Sequence, residues 1–140
     1  MKQHFDHLKK EYDAFEQFLL QKGILLTRDT ELGHWGVSYL PSVFKLFEQL
    51  DLRQKQSFVD LGSGDGRVAF AAGLFCSKSN GLEFDDWLLG CSNTMKGKFP
   101  NLNHVNFSKE NFLHHDLSSY NIVYHSPDQP YYRGTLNQKL

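Results

Sequence analysis

Cysteine is scarce in this chain, charge of either sign is not in excess, and long apolar runs are missing. Each absence excludes something. Cys76 and Cys91 are the only two thiols of 140 residues. They lie far apart and without a partner pattern, so a disulfide framework is excluded and free buried thiols in a reducing compartment are expected. Fifteen Lys and Arg against sixteen Asp and Glu leave a net charge of −1. No strong global attraction to nucleic acid or to an anionic membrane follows, and a nucleic-acid partner is disfavoured although local patches need no net charge. No run of apolar residues approaches the ~20 needed to cross a bilayer, so no membrane insertion is expected. The N-terminus has no signal-peptide core, and its acids and single early arginine, Arg28, argue against a transit peptide. The expected location is cytoplasmic. Metal chemistry has little to build on: His104, His114, His115 and His125 show no zinc-motif spacing, and adjacent His114 and His115 would point in different directions. What remains is 40% hydrophobic and 14% aromatic, enough for one domain with a true core.

The most informative stretch is Phe58-Val59-Asp60-Leu61-Gly62-Ser63-Gly64-Asp65-Gly66-Arg67. Ser57 to Leu61 reads as a buried parallel strand ending in a carboxylate, and Val68 to Phe75 as a packed helix. Strand, glycine turn and helix begin a nucleotide-binding doubly wound fold. The spacing is Gly-x-Gly-x-Gly and not the dinucleotide Gly-x-Gly-x-x-Gly. Asp60 before the turn and Asp65 inside it would repel a pyrophosphate but suit a ligand bearing a cationic amine and a sulfonium. That ligand is S-adenosylmethionine. Glu83 follows Gly64 by nineteen positions, where a strand-end acid reaches ribose hydroxyls. A solvent loop and a surface acid would be the bland alternative. Strand, turn, helix and acid together favour a cofactor site.

These residues carry a resemblance. Ser38-Tyr39-Leu40-Pro41-Ser42, a helix, and then Val59 to Arg67 resemble the small class I (seven-β-strand) protein-lysine methyltransferases, relatives of those acting on the mitochondrial ATP synthase c subunit and the adenine nucleotide translocase. More distantly they are similar to Dot1-type histone lysine methyltransferases. Gly81-Leu82-Glu83-Phe84-Asp85-Asp86-Trp87-Leu88 is similar to that group's Gly-x-Glu-Leu-Asn-Pro-Trp-Leu, with Asp85-Asp86 where Asn-Pro is usual. Either pair can cap a helix. Asn111 falls where the group has an aspartate that accepts from the adenine amino group; an amide oxygen can do the same. The resemblance covers roughly residues 36 to 140. It implies transfer of a methyl group from S-adenosylmethionine to a protein lysine. It places Tyr39, Asp60, Gly62, Ser63, Gly64, Asp65, Glu83 and Asn111 at the cofactor, with Asp60 near the methionine amino group, Glu83 on the ribose, and Glu110 or Asn111 at the adenine edge. Ser126 to Tyr132, after the fourth strand, reads either as a proline-rich turn without chemistry or as the acceptor site; as the latter, Asp128 would orient an ammonium and Tyr131 or Tyr132 would face the methylated nitrogen.

The expected fold is α/β, a Rossmann-like doubly wound parallel sheet of order 3-2-1-4 with an N-terminal helix, as a single domain: helix and loop to residue 35, cofactor core from 36 to 140. Phe5, Leu8, Tyr12, Phe15 and Leu19 form one stripe of the first helix. Thr27 to Leu40 reads as irregular, with Trp35 divided between core and ligand lining. A second helix should run from Pro41 to about Leu52. Strands at Gly81–Phe84, Val105–Ser108 and Tyr120–His125 alternate with helices at Asp86–Lys98 and from about Pro130. Relative to the family, the chain stops before the fifth to seventh strands. This leaves the fourth strand as an edge suited to self-association, and leaves open a catalytically inactive, truncated cofactor-binding remnant. A small-molecule or nucleic-acid acceptor is a further alternative.

Overall fold

The computed structural model describes residues 1–54 and 56–126. In chain order the elements are α1 (Lys2–Gln21), β1 (Thr27–Thr30), β2 (Gly33–Gly36), α2 (Leu40–Gln49), β3 (Ser57–Leu61), α3 (Arg67–Gly73), β4 (Lys78–Leu82), α4 (Asp86–Lys96), β5 (Val105–Ser108) and β6 (Ile122–His125). Short 3-10 turns occupy Pro100–Leu102 and Phe112–His114.

The central sheet has the order β5-β4-β3-β6, all parallel, which is the expected 3-2-1-4. The central strand β3 explains why. Phe58, Val59, Asp60 and Leu61 are all buried, so this strand needs cover on both faces, as parallel strands do. Alternate residues sort between two cores. Phe58 joins Ile122 and Tyr124 on the face covered by α1, α2 and α3. Val59 and Leu61 join Val123, Leu82 and Phe112 on the other. Helix α3 sits close against the sheet where its residues are small, with Ala69, Ala71, Ala72 and Gly73 all buried; a Cβ on Gly73 would stand 2.4 Å from Val105 Cγ2. On the first face, Tyr12 of α1 stacks with Phe99, and Phe47 of α2 meets Phe58 edge-on. The stripe expected on α1 is present, with Phe5, Leu8, Tyr12 and Leu19 buried.

Two elements differ from the sequence reading. The segment read as irregular folds into an antiparallel hairpin, β1 pairing with β2 from Thr27↔Gly36 to Thr30↔Gly33. Its strands are too short and too polar for alternation to show. Tertiary contacts hold it instead: Trp35 packs with Leu19 of α1 and Leu88 of α4, and Arg28 pairs with Asp85. The second strand runs from Lys78 to Leu82 and not to Phe84. Polar Ser79 and Asn80 hide it from a hydropathy reading, and buried Ser79 donates its hydroxyl to the Ala69 carbonyl at 2.7 Å.

β6 lies at one edge of the sheet among the described residues. The expected acceptor residues Asp128, Tyr131 and Tyr132, the Pro127 turn and the last helix lie outside them. Among the described residues no helix is long and apolar enough to cross a membrane.

Candidate functional site

The carboxyl ends of β3, β4 and β6 open into one cavity of about 400 Å³. Its floor is the loop from Asp60 to Asp65. Its walls are the hairpin (Thr30 to Ser38), Glu83 and Phe84 after β4, Phe112, and Tyr124 to Ser126 at the end of β6. In a parallel sheet, ligands bind at the carboxyl ends where successive crossovers diverge to opposite sides. Here that point falls between β3 and β6.

The glycine loop is held at nearly every residue. Gly62 and Ser63 donate their N–H groups to the Leu82 carbonyl at 2.8 and 3.0 Å. Gly64 donates to Glu83 Oε1 at 2.8 Å and accepts from the Ser92 hydroxyl at 3.0 Å. The Asp65 carbonyl accepts from the Tyr12 hydroxyl at 2.7 Å. The loop therefore needs little reorganisation to receive a ligand. Gly64 has φ +57°, and a Cβ there would meet Trp35 Cδ1 at 2.6 Å, so the turn requires glycine twice over.

Three acids meet at this loop in different states. Asp65, 2% exposed, is bound by Arg67 through Nε and Nη2, the latter at 2.7 Å. Arg67 also reaches Glu16 at 2.9 Å and the Ser38 carbonyl at 3.2 Å, and its guanidinium lies 4.8 Å from the Tyr12 ring centroid. It thus ties helix α1, the hairpin's exit and the glycine loop together. This corrects the electrostatic argument from sequence: the charge of Asp65 is consumed within the fold, so Asp65 does not itself select a cationic ligand. Glu83, 7% exposed, accepts from Gly64 and, through Oε2, from Asp85 N–H at 3.0 Å. Burial pushes its carboxyl upward from the ordinary value and the backbone donors pull it back. Asp60 is 3% exposed, and while its backbone pairs within the sheet its carboxyl hydrogen-bonds to none of the described residues. Burial, then Glu83, then Asp65 drive its carboxyl well above the ordinary range. A buried carboxyl of this kind is relieved by a cation.

Among the described residues two further side-chain polar atoms are buried without a hydrogen bond, Ser63 Oγ and His125 Nδ1, and both residues line this cavity. Native structures leave few such atoms unpaired, so the cavity is suited to a polar ligand. Phe84 and Phe112 supply apolar walls. An uncompensated acid, orphan hydroxyl, ring-lined wall and glycine cradle fit S-adenosylmethionine, which carries an ammonium, ribose and adenine.

The structure gathers Asp60, Gly62, Ser63, Gly64, Asp65 and Glu83 as expected. Two expected residues stand outside the lining. Tyr39 is 69% exposed where α2 begins, and its neighbours Val37 and Ser38 face the cavity instead. Asn111 turns its side-chain oxygen to the Leu113 N–H at 3.0 Å and starts the 3-10 turn, which presents Phe112 to the cavity. Glu110 is paired with His115. Sequence reasoning passed over Phe84 and Phe112, although each follows a residue it singled out. Trp35, divided in the sequence between core and ligand lining, does both, packing with Leu19 and Leu88 and lining the cavity. Val37 and the pairing of the hairpin strands gave no local signal. Among the described residues no group of three or more His, Cys, Asp or Glu is placed to hold a metal ion.

Comparison with known proteins agrees with this geometry. The structure is similar to an RNA methyltransferase from Salinibacter ruber in complex with S-adenosyl-L-homocysteine, at 24% identity and TM-score 0.59 over 64% of this chain and 59% of that one. It is also similar to a dimethyladenosine transferase from Plasmodium falciparum, at 9% identity and TM-score 0.63 over 74% and 37%. A third is the CcbJ methyltransferase from Streptomyces caelestis, at 26% identity and TM-score 0.53 over 64% and 36%. The match thus spans between about a third and three fifths of those chains. No curated protein sequence matches the chain. The fold is the Rossmann-like fold that these methyltransferases share. Residues 34–124 match the family of the histone methylation protein DOT1, and the chain belongs to that family.

Proposed function

We propose that this chain binds S-adenosylmethionine in the cavity above β3 and transfers its methyl group to the side-chain amine of a protein lysine. The observation that carries the reading is Asp60, a buried carboxyl with no hydrogen-bond or ion-pair partner among the described residues, beside a pre-formed glycine cradle. When bound, the cofactor supplies a methyl group already activated by a sulfonium. The chain's residues have to position, exclude water and leave a path for a proton. Asp60 takes the methionine ammonium, Glu83 the ribose hydroxyls through lone pairs its two backbone donors leave free, and Ser63 Oγ donates to the ligand. Phe84 and Phe112 flank the adenine. The lysine acceptor is supported by membership of a histone-methylating family and by a near-neutral chain without the basic excess that nucleic-acid binding favours.

Methyl-labelled S-adenosylmethionine added to the protein with a cell extract tests this. The expected label is protease-sensitive and ribonuclease-resistant, runs with methyl-lysine after acid hydrolysis, and is absent with Asp60→Ala. Ribonuclease-sensitive label would overturn the lysine acceptor, since the Salinibacter protein is named an RNA methyltransferase.

Glu83→Gln keeps an acceptor for Gly64 N–H but gives up charge. Loss of charge-assisted bonds worth about 1.5–3 kcal/mol predicts a roughly tenfold or greater loss of cofactor affinity. Unchanged affinity in calorimetry would remove Glu83 from the ribose.

A further inference from the structure

His125 closes β6 beside the site. It stands in register with Leu61, one step beyond the Asp60↔Tyr124 pair, and lines the cavity on the side away from Glu83. Its Nδ1 is buried and finds no partner among the described residues. The other groups that could take a proton in this cavity are engaged. Glu83 holds the loop, Asp65 is bound by Arg67, and His34 of β2 pairs with Asp29 at 2.9 Å. Asp60 is assigned to the methionine ammonium, and the phenol of Tyr124 is a donor that burial makes harder to ionise.

We infer that His125 is the proton acceptor for methyl transfer, its imidazole facing the incoming nitrogen at the end of β6. The assignment rests on the cavity being the S-adenosylmethionine site. The imidazole takes a proton from the lysine ammonium, which frees the nitrogen lone pair. That pair forms the new N–C bond while the methyl–sulfur bond breaks with its electrons passing to sulfur, leaving a methylated ammonium and a neutral thioether. The ring must be neutral to do this. Burial lowers its pKa from the ordinary value, which keeps it unprotonated near neutral pH. The titratable and charged groups that line the same cavity are Asp60 of β3, Asp65 and Arg67 of the loop and α3, Glu83 after β4, His34 of β2 and Tyr124 of β6.

The test needs no acceptor. The His125 ring is titrated by NMR, its signal identified by loss in His125→Gln, in complexes with S-adenosylmethionine and with S-adenosylhomocysteine. These ligands differ by a methyl group and one positive charge at sulfur. A unit charge ~6 Å away shifts a titration by about half a pH unit even in water. The His125 midpoint is therefore expected to be lower with S-adenosylmethionine by at least that amount. His125→Gln should keep both affinities within about threefold, since the ring serves the acceptor. Equal midpoints in two saturated complexes would overturn the role of His125 while leaving the cofactor site intact. Failure of both ligands to bind the folded protein would overturn the cofactor reading and this inference with it.

Discussion

Asp60 is where burial and charge are most at odds. A carboxyl raised by folding holds its proton to a higher pH in the native state than in the unfolded chain. Between the two values the native state binds more protons, so stability falls as pH rises through that window. Below the ordinary carboxylate value both states are protonated and nothing is lost. Asp60→Asn cannot ionise, so its melting temperature relative to wild type should climb as pH rises above about 4 and then level off. Thermal denaturation of the unliganded proteins across pH measures this; a difference that stays flat would mean that folding leaves the Asp60 carboxyl unperturbed, and one that falls would mean that it is ionised and paired. Binding of a cation should reverse the penalty and drive Asp60 to release its proton. Cofactor titrations in buffers of different ionisation heat are expected to show that release on the acid side. The sequence singled out Asp60 as a strand-end acid before a glycine turn and Glu83 by its interval of nineteen residues from Gly64, and both line the cavity. The pairing of Asp65 with Arg67 was not legible there. Two residues apart, they looked like independent loop charges until α1 and the hairpin closed over them.

Among the elements, the glycine loop and the hairpin act as one unit joined by Trp35 and Arg67. A Cβ at Gly64 would meet the indole at 2.6 Å on a backbone already at φ +57°. Gly64→Ala should therefore cost about 1–3 kcal/mol, and Trp35→Leu in the same chain should recover part of it. Chemical denaturation of the two singles and the double reads the coupling; strict additivity would mean that loop and hairpin do not touch as described. Arg67 is 5% exposed and binds two acids from different elements. Arg67→Met leaves Asp65 buried and unpaired, and a loss of about 3–5 kcal/mol is expected in the same measurement. The parallel strands were legible because β3 and β6 are apolar and β-branched. The hairpin was not. Thr27 to Thr30 is a short polar strand, and what fixes it is Trp35 against α4 and Arg28 against Asp85, contacts that no local pattern announces.

At the scale of the whole molecule, three loops and a hairpin converge on the carboxyl end of a four-stranded parallel sheet. The order β5-β4-β3-β6 follows from right-handed crossovers, which is why topology could be read from a chain of alternating elements. The adenine side was read less well: Asn111 was weighed by its position, whereas its side chain caps a turn and delivers Phe112 in its place. The central claim is that this convergence is an S-adenosylmethionine site organised around Asp60. Calorimetric titration of the wild-type protein and of Asp60→Ala with S-adenosylmethionine tests it most directly. Micromolar binding by the wild type, abolished in a variant whose circular dichroism remains native, is the predicted result. A folded wild type that does not bind, or an Asp60→Ala variant that binds equally well, would contradict it.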